Sequence, residues 1–416
     1  MESVRFPDAV ISEFRSSPTS TLLGRDYPGV KARILTEEGA RVRAGDAVLC
    51  DRRRPQILFT SPVSGTVSAI RLGKRRRLIS LKIVAEGSDQ IVFDIPAKPD
   101  RDSLRGLMLK TGLWASLRSR PFGHIPNPDA APEALLITAI DTQPLAPDPG
   151  VIINQYPQDF SRGLRLLCDL IEAPVYLCQS AGADFRDDKT SRAIPVGFDG
   201  PHPAGLVSTH IQALGLPVSL DKEVWHIGYQ DVISLGRLFN TGTAWYQRVV
   251  SLAGSAVREP RLITVTLGAG LKDIVEGELI DGESRLISGS VLSGHNAVGD
   301  EAGLGRLHHQ ITAMLEAELE QPQSWFSSLF NSDYSQSSAP LIATPDLDDA
   351  APPGILAVPL LRALLVGDVE RARELGALEL VEDDLALLSY ICSSGVDYGS
   401  LLREVLNQIV REELAL

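Results

Sequence analysis

The sequence predicts a multidomain α/β protein, and three patterns indicate this fold class. Its 416 residues exceed what one ordinary hydrophobic core fills, so two to four domains are expected. Short apolar runs separated by glycine turns occupy the first hundred residues and recur after residue 245, whereas strand-like and helix-like runs alternate between them. A helical pattern closes the chain. The predicted units are a β domain (1–100), an α/β domain (101–245), a second β domain (246–320), a linker (321–354) and a helical domain (355–416).

The composition is that of an ordinary soluble protein, with 44% hydrophobic and 22% charged residues. A formal net charge of −13 and a pI near 5.1 argue against nucleic acid or anionic lipid as the main partner. The first residues, MESVRFPDAVISEF, lack the pattern of a signal peptide. Apolar runs such as Ala134–Ile140 and Ile355–Val366 are shorter than the roughly 18–20 residues that cross a bilayer. We therefore expect a protein that lies on a membrane, if it serves one, and does not span it.

The cysteines predict neither a disulfide framework nor a metal centre. There are four, dispersed along the chain, and none forms a CxxC pair. Iron–sulfur clusters need about four converging thiolates, and structural zinc needs a similar set. We therefore expect a reducing cytoplasmic setting and no metal ligands. No catalytic residue is expected in this chain either. The cysteines are Cys50, Cys168, Cys178 and Cys392.

The N-terminal β domain resembles the hammerhead of biotinyl and lipoyl carriers. Strand-like pairs and glycine turns run from Val30 to Ile83. Carriers need a lysine at a hairpin tip, and no lysine occurs between Lys31 and Lys74; the stretch at the expected hairpin reads CDRRRPQILFT. We interpret the domain as a structural or docking module. Two basic clusters, 52–54 and 74–77, fall on predicted turns, where they are either simply solvated or grip acidic lipid or an acidic neighbour.

The next segment predicts a Rossmann-like α/β domain. A helical pattern covers 104–122, a buried strand Ala134–Ile140, a helix Phe160–Glu172 and another strand Pro174–Cys178. The domain resembles the flavin-bearing subunit of respiratory complex I and the C subunit of Rnf-type complexes, whose glycine run wraps a nucleotide phosphate. Here Arg118–Pro126 stands in its place, with two prolines and bulky residues, so binding of FMN or NADH is not expected. Arg118 and Arg120 are expected to form surface ion pairs, with anion binding as the alternative.

The segment WHIGYQD is the main candidate for contact with a quinone or a partner. Its aromatic, imidazole and carboxylate side chains are able to stack on a quinone ring and hydrogen-bond a carbonyl oxygen. The competing interpretation is a buried structural turn. A helix is expected to follow, capped by Gly242. The candidate residues are Trp225, His226, Tyr229 and Asp231; His202, His210, His308 and His309 are expected to be structural or exposed, the last two opening a helix.

The remaining units resemble known modules but lack side chains for redox chemistry or for iron–sulfur clusters. Tyr246–Asn296, with a short helix expected at Leu271–Glu276, resembles the soluble-ligand-binding β-grasp (SLBB) domain. The glycine-containing stretch 299–305 (GDEAGLG) is interpreted as a turn. The tail resembles a ferredoxin-type helical domain without clusters, since it holds only Cys392. Its expected helices are Ile355–Val366, Val369–Leu375 with Asp368 as N-cap, Asp383–Tyr390 and Leu401–Glu413.

The sequence of residues 202–294 resembles that of the A subunit of the sodium-translocating NADH:quinone reductase. It includes HPAGLVSTHIQALGLPVSLDKEVWHIGYQDVISLGRLFNTG and SRLISGSVLSG. The resemblance implies a subunit without a redox centre of its own. It would lie peripherally on the cytoplasmic face of the bacterial inner membrane, at the quinone end of its complex. That complex would carry electrons from NADH to ubiquinone and export Na⁺. Its partners would be the other subunits, above all the quinone-side membrane subunit, and a ubiquinone contact is possible; flavins and iron–sulfur centres would lie elsewhere. The alternative is a flavin- or iron–sulfur-bearing NADH dehydrogenase or Rnf-type C subunit.

Overall fold

The N-terminal unit consists of two small antiparallel sheets packed face to face. The computed structural model describes residues 8–186, 192–316 and 340–413. One sheet has the strand order β2-β8-β7-β4 and the other β3-β5-β6, and Val48, Leu81 and Ile83 are fully buried in the core that they share. The expected hairpin at 50–60 is present as β5 and β6. The strands are β1 (Asp8–Phe14), which joins a different sheet, β2 (Thr19–Leu23), β3 (Ala32–Ile34), β4 (Arg41–Val42), β5 (Ala47–Asp51), β6 (Leu58–Thr60), β7 (Gly65–Leu72) and β8 (Leu78–Ala85).

The second unit is a five-stranded sheet with helices on its faces, as the alternating pattern predicts. Its strand order is β12-β11-β10-β13-β9, and only the edge strand β9 is antiparallel. The single helix predicted over 104–122 is wrong in its second half, because Gly112 adopts φ +77 and ends the helix. The elements are α1 (Arg101–Lys110), β9 (Arg118–Arg120), β10 (Ala134–Ala139), α2 (Pro149–Gln155), α3 (Pro157–Leu170), β11 (Val175–Ser180), β12 (Ile194–Phe198), α4 (Val207–Leu214), β13 (Val224–Gly228) and α5 (Tyr229–Thr241).

The third unit is a six-stranded sheet of order β1-β15-β14-β18-β16-β17. Strand β1 pairs in parallel with β15, so the N-terminal segment assigned to the first domain completes the third. The expected helix at His308–His309 is wrong: these residues lead directly into a strand, which pairs with β14 and β16. The short helix expected near residue 271 is present. The elements are β14 (Gln247–Ala253), β15 (Arg261–Thr266), α6 (Leu271–Ile274), β16 (Ser284–Ser288), β17 (His295–Asn296) and β18 (Gln310–Leu315).

The C-terminal unit is a cluster of short helices with its own apolar core. The Asp368 carboxylate accepts a 2.9 Å hydrogen bond from the backbone N–H of Arg371, which confirms the predicted N-cap. Residues up to 339 of the predicted linker (321–354) lie outside the described part of the chain, but 345–350 form a helix that buries Leu347 in this core. The helices are α7 (Pro345–Ala350), α8 (Ala357–Val366), α9 (Val369–Glu374), α10 (Ala386–Ile391) and α11 (Tyr398–Glu413).

Candidate functional site

A cleft lies at the carboxyl ends of β10 and β13, the edge at which open α/β sheets bind ligands. Its volume is about 420 Å³, which lies within the range of small-molecule sites. All four units contribute walls, so the site exists only in the assembled fold. The first unit supplies Arg25 and Asp26, the second Asp141, His226 and Tyr229, the third His295, His308 and His309, and the fourth Glu382, Asp383 and Arg403.

The WHIGYQD segment is a junction between a strand and a helix, not the turn of the competing interpretation. Alternate residues of β13 point to opposite faces. Trp225 therefore faces away from the cleft: it is 1% exposed, its indole N–H donates to Glu223 Oε2 at 2.7 Å, and its ring lies 5.8 Å from that of Trp114. His226, Tyr229 and Asp231 line the cleft. The structure thus brings together three of the four predicted residues.

Arg120 fixes the protonation of His226. The Arg120 guanidinium is buried and donates to the Glu379 carbonyl at 3.1 Å, to Asp384 Oδ2 at 3.4 Å and to His226 Nε2 at 2.8 Å. Because a guanidinium only donates, Nε2 accepts, and the neutral imidazole carries its proton on Nδ1. Burial, together with the Arg120 charge, holds the pKa of His226 well below its usual value. His226 is therefore a neutral hydrogen-bond donor at physiological pH.

The segment Arg118–Pro126 leaves no cradle for a phosphate. Both arginines are buried, so the expectation of surface ion pairs is wrong. Arg118 donates to the backbone carbonyls of Leu117 at 2.9 Å and Asp26 at 2.8 Å, and burial lowers its pKa to about 10. A Cβ on Gly123 would lie 2.9 Å from Val381 Cγ1, and Phe122 is buried in the helical core. This part of the chain joins two units and does not fit a nucleotide phosphate.

Asp231 is an anchor between the second and third units. It forms a buried ion pair with Arg248, accepts a 2.8 Å hydrogen bond from Ser116 Oγ and lies 3.8 Å from an Arg306 nitrogen. Burial alone would raise the pKa of Asp231, but the two arginines and Ser116 outweigh it and the pKa is lowered. Asp231 is therefore a fixed anion that positions the first turn of α5.

Two cleft carboxyl groups were missed by sequence reasoning. Burial raises the pKa of Asp141 to about 6. Enclosure in the cleft, followed by the charges of Asp384 and Glu382, raises the pKa of Asp383 to about 7, although its side chain stays exposed to the cleft. Asp141 directly follows the buried strand run ending at Ile140, which is a readable signal for a residue at the sheet edge. No comparable sequence signal marks Asp383, because its neighbours depend on how the C-terminal unit packs against the cleft.

The aromatic side of the cleft is formed by Tyr229 and His309. Their rings meet edge to face with centroids 5.1 Å apart. Burial lowers the pKa of His309 to about 4, so it is neutral beside Asp141, 3.9 Å away. The cleft thus offers neutral donors, aromatic edges and carboxyl groups that exchange protons near neutral pH.

Comparison with known proteins agrees with the resemblance seen in the sequence. Family models described as the NqrA N-terminal barrel-sandwich hybrid domain, the NqrA second alpha/beta domain and the NQRA C-terminal domain match residues 4–86, 99–244 and 249–299. The A subunit of the Na(+)-translocating NADH-quinone reductase of Neisseria meningitidis serogroup C (strain FAM18) is 39% identical over 98% of this chain and 96% of its own length. The chain belongs to the NqrA family. The corresponding proteins of Pseudomonas aeruginosa UCBPP-PA14 and Yersinia pestis bv. Antiqua (strain Angola) are also 39% identical, covering 98% and 94% of this chain and 96% and 93% of their own lengths.

Membership of the NqrA family confirms the predicted family and, at the level of its three matched units, the multidomain α/β fold. The relatives are named as subunits of an oxidoreductase complex. A solved NAD⁺-reducing [NiFe]-hydrogenase is 16% identical with a TM-score of 0.43, and the match covers 77% of this chain and 62% of that chain.

Membrane spans and metal ligands are the remaining features that bear on the candidate chemistry. No helix within 8–186, 192–316 and 340–413 is long and apolar enough to cross a membrane. Over the same ranges, no group of three or more His, Cys, Asp or Glu side chains is placed to hold a metal ion. All four cysteines are buried, and Cys392 contacts Ser394 Oγ at 3.2 Å and Tyr398 Oη at 3.4 Å.

Proposed function

We propose that this chain is the peripheral, cofactor-free A subunit of a sodium-pumping NADH:ubiquinone reductase. It would dock on the cytoplasmic face of the bacterial inner membrane, against the quinone-side membrane subunit, and support electron transfer from NADH to ubiquinone coupled to Na⁺ export. The observation that carries this proposal is the 39% identity to NqrA proteins over nearly the whole chain. The flavins and iron–sulfur centre of such a complex would belong to its other subunits.

Within that role, the four-unit cleft is the best candidate for a quinone head group. The His226 Nδ1–H would donate to one carbonyl oxygen, and the Tyr229 and His309 rings would border the quinone ring. Asp231 would act by holding α5 in place, since its carboxylate is already engaged. Trp225 has no part in this contact, because it lies on the other face of β13.

The alternative, a flavin- or cluster-bearing NADH dehydrogenase or Rnf-type subunit, requires a phosphate cradle or converging thiolates. The packing of Arg118–Pro126 against Val381 and Arg403 weighs against the first, since the Phe122 carbonyl accepts a 2.8 Å hydrogen bond from Arg403. The visible absorption spectrum of the purified chain separates the two functions. A protein-bound flavin or iron–sulfur band would establish the alternative, whereas an absence of such bands together with co-purification of the membrane subunits supports the proposal.

The quinone contact is tested on the assembled complex with a ubiquinone that carries a photoreactive tail. Label recovered on peptides spanning 224–231 supports the contact. Label confined to other subunits overturns it and leaves the docking role intact.

A set of variants of the same complex separates hydrogen bonding from packing. We expect His226→Leu to raise the KM for ubiquinone up to about tenfold, the value of one hydrogen bond. His226→Asn, whose amide places an N–H near the Nδ1 position, should lose less. Trp225→Phe is the control on the opposite face of β13, and its KM should match the parent complex. Equal KM values for the leucine and asparagine variants would contradict the assigned hydrogen bond.

A further inference from the structure

The hairpin that joins β7 to β8 carries a basic tip that the proposed cleft function does not use. Residues 74–77 (Lys-Arg-Arg-Arg) are all exposed, and none of them forms an ion pair within the described residues. The neighbouring Arg71 does pair, lying 3.8 Å from Glu38 and 3.6 Å from Asp300. Four adjacent unpaired cations thus project from a chain whose formal net charge is −13.

The backbone at this tip adopts a conformation that is unfavourable for the arginines that form it. The N–H of Arg77 donates to the Lys74 carbonyl at 3.2 Å, which closes a turn whose two central residues, Arg75 and Arg76, have φ of +56 and +58. Positive φ at both central positions defines a type I′ turn, for which Asn-Gly is the preferred pair. Two arginines fit such a turn poorly, and strain of this kind points to a role for the side chains rather than for the turn.

Exposed apolar side chains lie next to the cations. Leu72 is 38% exposed at the end of β7, and Val298 is 65% exposed just before Asp300. The ion pair between Arg71 and Asp300 holds these two segments together. A polybasic tip flanked by apolar side chains is typical of surfaces that touch a membrane interface.

We propose that the β7–β8 hairpin tip, residues 71–77, binds anionic phospholipid headgroups and thereby fixes the orientation of this subunit on the membrane. The occupant is inferred from charge complementarity: four unpaired cations match a layer of phosphates, and Leu72 and Val298 match its apolar boundary. The overall acidity of the chain keeps other faces away from such a surface. This proposal goes beyond the quinone-end function and rests only on its peripheral placement.

The test is flotation of the full purified chain with phospholipid vesicles. We expect binding to phosphatidylcholine vesicles that contain about 30% phosphatidylglycerol, and none to pure phosphatidylcholine. Binding should vanish in high salt, because the screening length shortens from about 10 Å at 0.1 M to about 3 Å at 1 M.

The decisive variant is Arg75→Asn with Arg76→Gly, which installs the preferred turn while removing two charges. We expect this variant to melt no lower than the parent chain, and to lose roughly 30-fold in vesicle partitioning, about fivefold per charge. A control with Arg362→Gln and Arg411→Gln removes two exposed charges from α8 and α11 and should bind like the parent.

Several results would overturn the lipid contact. They are absence of flotation, equal flotation of the turn variant and the parent, or crosslinking of the tip to an acidic surface of another subunit with no contribution from lipid. None of them affects the proposed function, which is read independently from co-purification of the complex.

Discussion

Replacement of Asp231 by asparagine should destabilise the α/β unit far more than removal of an exposed charge. Asp231 is 2% exposed, and its partners Arg248 and Arg306 have side chains that are 1% and 13% exposed. The asparagine keeps the volume of the aspartate but leaves two guanidinium groups near each other without their anion. Breaking a buried pair by removing one partner costs about 3–5 kcal/mol, and we expect a loss in this range.

The loss can be measured by urea unfolding followed through tryptophan fluorescence, since Trp114 and Trp225 are buried in the same unit. Glu374→Gln is the matched control: it breaks an ion pair whose partners are 59% and 64% exposed, and should change the unfolding free energy by less than about 1 kcal/mol. Adding Arg248→Met to Asp231→Asn should recover part of the loss, because one uncompensated cation is removed.

The pH dependence gives a second check on Asp231. Its pKa is lowered in the folded chain, so its contribution is fully present above the unfolded value of about 3.9 and disappears as pH falls through the lower folded value. The asparagine variant should therefore lack this part of the acid sensitivity. A loss of less than about 1 kcal/mol, equal to that of the control, would refute the assignment of a buried anchor.

Three further predictions follow from the packing. Gly163→Ala should destabilise the chain by about 3 kcal/mol or more, since its Cβ would lie 2.0 Å from the Val232 carbonyl oxygen. Gly106→Ala, at an exposed position of α1 with open space around its Cβ, should stabilise the chain by about 0.5–1 kcal/mol, and thermal melting that ranks the two variants alike would contradict this. Arg120→Met should cost about 3 kcal/mol and speed hydrogen exchange in residues 377–391, because the joint to Glu379 and Asp384 is lost; unchanged exchange would speak against that joint. Burial raises the pKa of Asp141 to about 6, so this carboxyl group contributes stability that grows as pH falls from about 7 to about 5 and opposes the loss caused by buried neutral histidines such as His309; the melting temperature of Asp141→Asn should therefore fall relative to the parent over this range, and a constant difference between the two would argue against it.

Elements built from local pattern could be predicted from the sequence. The run ALLITAI gives β10 because all of its residues but Thr138 are apolar and its β-branched residues favour a buried strand, and the amphipathic stretch after Tyr156 gives α3. Asp368 caps α9 as expected, because an N-cap depends only on the next three residues. Gly242 ends α5 with φ +75 for the same local reason.

Contacts between units could not be predicted, because their partners lie far apart along the chain. Arg120 and Asp384 are separated by 264 positions, and only packing of the last helices against the sheet brings them together. A pair of arginines beside a proline is usually exposed, and nothing local marks Arg118 and Arg120 as buried. The place of strand β1 in the third unit was not predicted for a similar reason, because its pairing with β15 spans about 250 residues. Trp225 and His226 shared one motif, yet the two-residue period of β13 sends them to opposite faces.

Residues 118–126 form a joint between units, while the sheet edge beside them stays open. Phe122 and Gly123 pack on the helical unit, and Arg403 ties the Phe122 carbonyl to Glu382. A flexible glycine loop there would leave the helical unit without this contact. The cleft survives because its other walls, His226 and Tyr229, come from a strand and helix held by Arg120 and Asp231. We infer that residues 118–126 hold the helical unit in the place where Asp383 lines the cleft.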